Sequence, residues 1–450
     1  MKLLTLLVAG AALPLISAAP TSTAIVKDAS TDTDASVAAT LARCSKDIYP
    51  AKYPENVNGF NYTYPSTLWF YNLTSTVPGS SEVLEMAFMD LLPPNYNPRS
   101  TSKEPQTILL LHGKNFCGPT WYAAATPLQK AGYRVILPEQ LGFCKSTKPT
   151  QYSFNLTSLA TNTHNLVKAL GITKPPIVIG HSLGGMLASR YALTYPEFTK
   201  SLMLVSPIGL EDWKQLGVPD RSFDLLTGDE KSTTYASLRG YEQATYYPGA
   251  EWTEDFDKWV VMLTKVYEGD QKEKFWADQA HVVEMVLEQP TIHDYNKIKP
   301  KTLLVVGEKD NTAIGKVWSP PEVQAKLGHY AVLGRQAKAA IPDATLVSFP
   351  YLGHAPQIQE PEMFNRLLSS WVKTGGRTLE SLKLNATIIS AVMNGNGLEM
   401  ATFMMFAWGE ASIELLGISE VKNVHSHPTQ FIASHCLQPI PWIPALAWCA

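Results

Sequence analysis

The 450-residue sequence lacks an excess of charge of either sign. It has 37 Lys and Arg residues against 40 Asp and Glu residues, so its formal net charge is only -3. No block of like charge stands in the long middle of the chain. Proteins that bind nucleic acid or anionic membrane surfaces carry basic patches or stripes. The composition therefore argues against both kinds of partner.

The N-terminal apolar stretch is too short to cross a bilayer, which takes about 20 residues. It runs over residues 3–16, follows Met1-Lys2 and ends in the small residues Ser17-Ala18-Ala19. A basic start, a short apolar stretch and small residues at the end are typical of a cleavable secretory signal peptide. We interpret residues 1–19 as a signal peptide and predict a secreted protein with no stable membrane span. A buried N-terminal helix is the alternative, and no amphipathic face supports it.

Cysteine is scarce and odd in number, which leaves at least one cysteine without a partner in the chain. The cysteines are Cys44, Cys117, Cys144, Cys436 and Cys449. Cys117 and Cys144 each follow a predicted strand by a few residues, so they form the first pair to test. Two unpaired thiols in the core fit the sequence equally well. Asn-x-Thr sequons, mild support for an extracellular glycoprotein, occur at Asn61, Asn72, Asn155 and Asn385.

Short apolar runs alternate with helical patterns from residue 107 onward, which predicts a parallel sheet with helices on both faces. Residues 20–66, rich in Ser, Thr, Asp and Pro, show no sustained period and are interpreted as an N-terminal extension. The first two strands are expected to pair in antiparallel fashion. The predicted strands are 67–72, 83–91, 107–111, 133–137, 177–179, 202–205, 303–306 and 345–349. Helices are predicted over 121–131, 157–170 and 360–373.

The pattern becomes helical between the strands at 202–205 and 303–306, which predicts an inserted helical cap. We therefore divide the predicted α/β core into residues 67–208 and 300–375, with the cap at 209–299. Aromatic residues of this cap either line a substrate cavity or only pack between helices. They are Trp213, Tyr241, Tyr246, Tyr247, Trp252, Trp259 and Trp276.

Residues 376–450 lose the periodic pattern and are interpreted as an irregular C-terminal tail, with a mis-predicted gene end as one hypothesis. The tail carries several potential metal ligands, but their spacing matches no zinc pattern, so we predict no metal site. They are His425, His427, His435 and Cys436.

Residues 180–184 read GHSLG and match the pattern G-x-S-x-G, which alone is weak evidence. The apolar run before it and the helical pattern after it make a strand, a sharp turn and a helix, typical of a nucleophile elbow. Such a turn exposes the serine hydroxyl at the sheet edge, where the amides of the following helix also point. We predict Ser182 as the nucleophile; a helix-capping serine in a glycine-rich turn is the alternative.

A serine hydroxyl needs an adjacent base, which is itself held by a third group. His354 follows the last predicted strand and precedes the last predicted helix, so it is expected at the same sheet edge as Ser182. We predict His354 as the base.

The acid is expected between nucleophile and base in chain order. Asp310 follows the strand at 303–306 by a short loop and is the predicted carboxylate. Glu308 in the same loop, and Glu211 or Asp212 after the preceding strand, are its rivals.

An oxyanion hole needs two backbone amides. One is predicted at Leu183, directly after the nucleophile. The other is expected in the loop that reads HGKNFCG at 112–118, at Lys114 or, failing that, at Asn115.

These motifs together resemble the α/β-hydrolase fold superfamily, in the capped branch that includes epoxide hydrolases, haloalkane dehalogenases and small-molecule esterases. The resemblance covers residues from about 67 to 375. It implies an α/β fold, with a mostly parallel sheet flanked by helices and an inserted helical cap, and it implies no metal and no organic cofactor. Residues 139–142, which read EQLG, depart from the family pattern, in which many relatives have an acidic residue before the glycine. The matching motifs lie at 112–113, 138–149, 180–184, 310 and 353–354.

The identity of the nucleophile narrows the reaction. Epoxide hydrolases and dehalogenases of this branch use Asp, because the ester they form can be hydrolysed, whereas a serine would be trapped as an ether. Ser182 therefore predicts cleavage of an ester, thioester or lactone in a small molecule. A carbon-carbon bond hydrolase or a perhydrolase with the same triad remains open. So does a non-catalytic ligand-binding protein on the same scaffold. The sequence does not indicate an oligomeric state.

Overall fold

The computed structural model describes residues 47–73, 82–96 and 103–375. Within them, strands and α-helices alternate along most of the chain. The strands are β1 (Ile48–Pro50), β2 (Asn56–Val57), β3 (Phe60–Asn61), β4 (Leu68–Leu73), β5 (Leu84–Leu91), β6 (Thr107–Leu111), β7 (Arg134–Pro138), β8 (Ile177–His181), β9 (Ser201–Val205), β10 (Thr302–Gly307) and β11 (Ala344–Phe349). The helices are α1 (Tyr122–Lys130), α2 (Leu156–Ala169), α3 (Leu183–Thr194), α4 (Trp213–Leu216), α5 (Phe223–Lys231), α6 (Tyr235–Thr245), α7 (Glu254–Tyr267), α8 (Lys272–Glu288), α9 (Pro321–Gln324), α10 (Tyr330–Ala340), α11 (Pro356–Gln359) and α12 (Pro361–Thr374).

One nine-stranded sheet organises the molecule, in the order β1-β4-β5-β7-β6-β8-β9-β10-β11. The strands from β7 to β11 in this order are parallel, and β1, β4 and β5 join them by antiparallel pairing. Every residue of β6, β8, β9 and β10 is buried. Strands covered on both faces need such unbroken apolar runs, which is why the sequence predicted them well. The predicted α/β-hydrolase architecture is confirmed.

Regular structure begins before Thr67, earlier than the sequence indicated. β1 pairs with β4 at the edge of the sheet, and β2 and β3 form a small hairpin of their own. The side chain of Lys145 donates a hydrogen bond to the carbonyl of Glu55 at 3.0 Å, and that of Lys148 donates to the carbonyl of Asn58 at 3.2 Å. Strands of two or three residues have no detectable period, so only tertiary contacts reveal them.

The segment between β9 and β10 contains helices α4 to α8 and no strand, all of it within the described residues. Hydrogen bonds from side chains to backbone amides determine where its helices begin: Ser222 accepts from the amide of Leu225, and Thr253 from that of Phe256. This helical segment, residues 209–299, is called the cap below. The predicted signal peptide at 1–19 and the predicted tail at 376–450 lie outside the described residues, as do Cys44, Cys436, Cys449 and Asn385.

A disulfide joins Cys117 to Cys144, with their Cα atoms 5.8 Å apart. It links the loop after β6 to the loop after β7, and it decides between the two alternatives that the sequence left open. Glu139 lies beside it, and these three residues are the one cluster of potential metal ligands in the described part of the chain. Oxidised sulfurs cannot act as thiolate ligands, so these residues do not fit a metal site.

No helix in the described part of the chain is both long and apolar enough to cross a membrane.

Candidate active site

Ser182 occupies a sharp turn between the end of β8 and the start of α3. Its backbone has φ 56° and ψ -120°, a region that residues other than glycine seldom adopt. A Cβ atom on Gly180 would lie 1.9 Å from the carbonyl oxygen of Gly184, and one on Gly184 would lie 2.2 Å from that of Leu111. Only glycine fits at these two positions. The Ser182 side chain makes no capping bond to α3, so the alternative of a merely helix-capping serine is not realised.

The structure brings Ser182, His354 and Asp310 into one line of hydrogen bonds. The Nε2 atom of His354 lies 2.8 Å from Oγ of Ser182, and its Nδ1 lies 2.6 Å from Oδ2 of Asp310. A carboxylate only accepts, so Nδ1 must carry the hydrogen and Nε2 is left to accept the serine proton. The three residues are 4%, 0% and 2% exposed, in that order, so water scarcely competes for these bonds.

Backbone contacts hold the carboxylate and the imidazole in place. The other oxygen of Asp310, Oδ1, accepts from the amide of Thr312 at 2.9 Å. The amide of His354 donates to the carbonyl of Thr245 at 3.3 Å, and its own carbonyl accepts from Nε2 of His181 at 2.8 Å. The cap residue Thr245 therefore takes part in positioning the histidine, a role for which the sequence carried no signal.

The rival carboxylates are engaged elsewhere. Oε1 of Glu211 accepts from the indole of Trp213 at 3.0 Å and from the amide of Gly328 at 2.9 Å. Asp212 begins α4 by accepting from the amide of Gln215, and its other oxygen pairs with His293 at 2.8 Å. Among the described residues, Asp310 is the carboxylate that contacts His354.

The loop at 113–118 passes directly over Ser182. A Cβ atom on Gly113 would lie 2.9 Å from Cβ of Ser182, so the loop approaches this closely only because residue 113 is glycine. Lys114 and Asn115 follow Gly113 in the chain, and Leu183, the residue after Ser182, is the first residue of α3. The loop makes a turn in which the amide of Phe116 donates to the carbonyl of Gly113 at 3.2 Å. Of the predicted oxyanion positions, Leu183 thus follows Ser182 directly in the chain, and Lys114 follows Gly113, the loop residue that lies against the serine.

Two polar side chains of this loop bond to the cap. Nζ of Lys114 lies 2.8 Å from Oε1 of Glu230, and Nδ2 of Asn115 donates to the hydroxyl of Tyr246 at 3.1 Å. The ring of Tyr246 lies 4.8 Å from that of His354 and stacks at 5.5 Å on Phe116. Of the cap aromatics singled out in the sequence, Tyr246 therefore borders the site, whereas Tyr247 packs against Phe256 at 3.9 Å.

Two further histidines are buried beside the site. Burial lowers the pKa of His112 to about 4. Burial, followed by the neighbouring His354, lowers the pKa of His181 well below its usual range. His112 accepts at Nε2 from the amide of Gln140 at 3.2 Å, while Nδ1 lies 2.9 Å from the carbonyl of Gly113. Only the neutral ring satisfies both contacts, because a protonated Nε2 would meet the hydrogen of the Gln140 amide.

We expect the free energy of unfolding to fall as the pH is lowered from about 6.5, the pKa of an unfolded histidine, towards the pKa of about 4 in the fold. In this pH window residue 112 is protonated in the unfolded chain and neutral in the folded protein. Acid therefore favours unfolding. Each such histidine contributes a slope of up to about 1.4 kcal/mol per pH unit. Denaturant unfolding at several pH values in this range measures the free energy of unfolding. Its dependence on pH should be steeper for the wild type than for His112→Asn. His281→Asn, at an exposed ring that pairs with Glu284, should keep the wild-type slope; equal slopes in all three proteins would contradict the argument.

Comparison with known proteins identifies the family of this chain and several similar enzymes. A family model described as "alpha/beta hydrolase fold" matches residues 106–361. The chain is 26% identical over 285 residues to a 2-hydroxy-6-oxononadienedioate/2-hydroxy-6-oxononatrienedioate hydrolase of Comamonas testosteroni, covering 60% of this chain and 89% of that protein. It is also 26% identical over 262 residues to Lipase 3 of Moraxella sp. (strain TA144), covering 56% and 73% of the two chains.

Solved structures extend the comparison. A probable hydrolytic enzyme from Pseudomonas aeruginosa PAO1 is 46% identical, with a TM-score of 0.64, and the match covers 71% of this chain and 99% of that one. An esterase from Exiguobacterium antarcticum has a TM-score of 0.50 at 21% identity, covering 66% and 98%, which shows a shared fold alone.

Proposed function

This chain belongs to the α/β-hydrolase fold family and is a hydrolase; from that premise we propose that it cleaves an ester, thioester or lactone bond of a small molecule through an acyl-enzyme on Ser182. The observation that carries the proposal is the hydrogen-bonded line from Oγ of Ser182 through His354 to Asp310. A serine hydroxyl becomes a nucleophile when a neighbouring base takes its proton and a third group holds that base.

The proposed reaction has two halves. Oγ of Ser182 attacks the carbonyl carbon while its proton passes to Nε2 of His354, and the carbonyl electron pair moves onto the oxygen. The backbone amides of Leu183 and Lys114 hold this oxyanion, with Asn115 as the alternative donor. The intermediate collapses as the leaving group takes the proton from Nε2. Water then attacks the acyl-enzyme by the same route and frees the acid. Asp310 stays ionised and stabilises the imidazolium that forms in each half.

A second candidate is hydrolysis of a carbon-carbon bond. It is favoured by the relative named 2-hydroxy-6-oxononadienedioate/2-hydroxy-6-oxononatrienedioate hydrolase, since a compound of that name contains no ester to cleave. The same serine, histidine and aspartate would serve either reaction, so only the substrate distinguishes them. A perhydrolase reaction would likewise use the same triad, with peroxide in place of water.

Labelling with a fluorophosphonate tests the proposed nucleophile. We expect the wild type to be labelled at the peptide that contains Ser182, and Ser182→Ala to remain unlabelled. Ser189→Ala is a matched control, because Ser189 is a buried serine of α3, the helix that follows Ser182, and its hydroxyl donates to the carbonyl of Gly185 at 2.9 Å. A wild type that resists the reagent, or a Ser182→Ala variant that still reacts, would overturn the proposal. A panel of p-nitrophenyl esters, lactones and 2-hydroxy-6-oxo-dienoic acids then distinguishes the two candidate reactions.

We also propose that the protein is secreted and glycosylated. The N-terminal signal-like stretch supports this, and so does the buried disulfide, because disulfides persist in oxidising compartments. Asn61 is exposed and is the most accessible sequon among the described residues. Mass analysis of protein from culture medium should find residues 1–19 removed and a glycosidase-sensitive mass at Asn61. Protein retained inside the cell with its N-terminus intact would contradict the proposal.

A further inference from the structure

The oxyanion loop, defined as residues 113–118, is held by a charged contact with the cap. Nζ of Lys114 and Oε1 of Glu230 lie 2.8 Å apart, and their side chains are only 15% and 10% exposed. Glu230 lies near the end of α5, 116 residues away from Lys114 in the chain. An ion pair this far from solvent holds both side chains in one arrangement, because either charge alone would lack its hydration.

A second bond holds Glu230 itself. Its other oxygen, Oε2, accepts from the hydroxyl of Tyr267 at 2.6 Å, and Tyr267 lies at the end of α7. Burial, followed by the charge of Glu230 and this hydrogen bond, raises the pKa of Tyr267 well above its usual range, so the hydroxyl stays a donor. Glu230 therefore joins two cap helices to the loop.

The oxyanion loop lies close to Ser182, so a small change in its position would affect how its backbone amide binds the oxyanion. The loop approaches the serine so closely at Gly113 that a Cβ atom there would lie 2.9 Å from the serine Cβ. An oxyanion donor must point at the place where charge develops, and removal of one such donor costs about 100- to 1,000-fold in kcat. A shift of the Lys114 backbone by a fraction of an ångström would lose part of that stabilisation.

We propose that Glu230 is a positioning residue for the oxyanion hole: by holding the Lys114 side chain, it fixes the Lys114 backbone amide in its orientation towards the oxygen of the tetrahedral intermediate. The inference rests on the proposed function, since it assumes an oxyanion at Ser182. It assigns part of the transition-state binding to a cap residue that touches neither the substrate nor the triad.

The test compares Glu230→Gln with Asp229→Asn. Asp229 is the preceding residue of α5 and pairs with Arg221 at 2.8 Å, which keeps its ion pair within the cap. We expect Glu230→Gln to lower kcat on a p-nitrophenyl ester by about 10- to 100-fold, with KM within about 3-fold of the wild type. Asp229→Asn should remain within about 2-fold of the wild type in both parameters.

A trifluoromethyl ketone with the acyl chain of that ester reports on the oxyanion hole directly. Oγ of Ser182 adds to its carbonyl carbon, the serine proton passes to His354, and the carbonyl electron pair becomes an oxyanion. The matching secondary alcohol fits the same site and cannot be attacked. Glu230→Gln should lower the affinity for the ketone by the same factor by which it lowers kcat. It should leave the affinity for the alcohol unchanged.

Two further variants keep the proposal falsifiable if Glu230→Gln unfolds. Tyr267→Phe removes one hydrogen bond to Glu230. It should lower kcat and the affinity for the ketone together, by smaller factors than Glu230→Gln. Lys114→Met removes the other partner of the ion pair; combined with Tyr267→Phe, it should be no slower than the slower of these two single variants, because both act through Glu230. An unchanged kcat in Glu230→Gln, or equal losses for ketone and alcohol, would overturn the inference. A wild type that binds ketone and alcohol equally and is not labelled at Ser182 would instead remove the proposed function.

Discussion

Replacing His354 by alanine is expected to lower kcat on an ester by about 10,000- to 1,000,000-fold, while KM changes little. The imidazole is the only base that lies within hydrogen-bonding distance of Oγ of Ser182 in the described structure, at 2.8 Å. Without it the hydroxyl keeps its proton and the leaving group has no acid. Steady-state turnover of a p-nitrophenyl ester measures the loss, and a single-turnover burst shows whether acylation or deacylation is affected.

His281→Ala is the control for this prediction. His281 is also a histidine of the chain with a carboxylate neighbour, Glu284 at 2.9 Å, but its ring is exposed on α8. Its removal should leave kcat within about 2-fold of the wild type. A His354→Ala variant that kept more than about a tenth of the wild-type turnover would show that another group takes the proton.

Replacing Asp310 by asparagine should lower kcat by about 10,000-fold. The amide keeps the shape of the carboxyl group, and its oxygen still accepts from the amide of Thr312, so the loop stays in place. The amide nitrogen then donates to Nδ1 of His354, which moves the ring hydrogen to Nε2. That tautomer presents a hydrogen to Ser182 and cannot accept its proton. Turnover and the rate of fluorophosphonate labelling should fall together, because both need the activated serine.

Glu308→Gln is the matched control for Asp310→Asn. Glu308 stands in the same loop after β10, and its amide bonds the carbonyl of Phe349 at 2.9 Å, a contact that the substitution keeps. Its turnover should match the wild type. Loss of activity in Glu308→Gln with retention in Asp310→Asn would reverse the assignment of the acid.

The two replacements and the Glu230 comparison address different parts of one site. Asp310 and His354 are proposed to act on the proton of Ser182, and Glu230 on the position of the amide that binds the oxygen of the substrate. The cap takes part in both: Thr245 accepts from the amide of His354, and Glu230 pairs with Lys114. These contacts join the cap directly to the residues on which the proposed reaction depends.

The family and the fold class were predictable from the sequence and are confirmed. Each buried strand is a short run of apolar residues, and the turn at Ser182 requires glycine on both sides for steric reasons that act within a few residues. Chain order then singled out Asp310 and His354, since loops that follow parallel strands meet at one edge of the sheet. Their catalytic roles remain predictions that the replacements above will test.

Local sequence therefore determined the strands, the elbow and the set of candidate side chains, because these depend on neighbours a few positions apart. The sequence predicted that Ser182 and His354, 172 residues apart, lie at one sheet edge, and the structure places their side chains 2.8 Å from each other. The contact of Lys114 with Glu230, 116 residues apart, had no signal in the sequence and was decided by tertiary structure alone. Tertiary structure also decided that Cys117 and Cys144 are joined and that β1 extends the sheet. Such contacts depend on how whole helices, strands and loops pack, and the local sequence around a residue does not identify its partner in a distant segment.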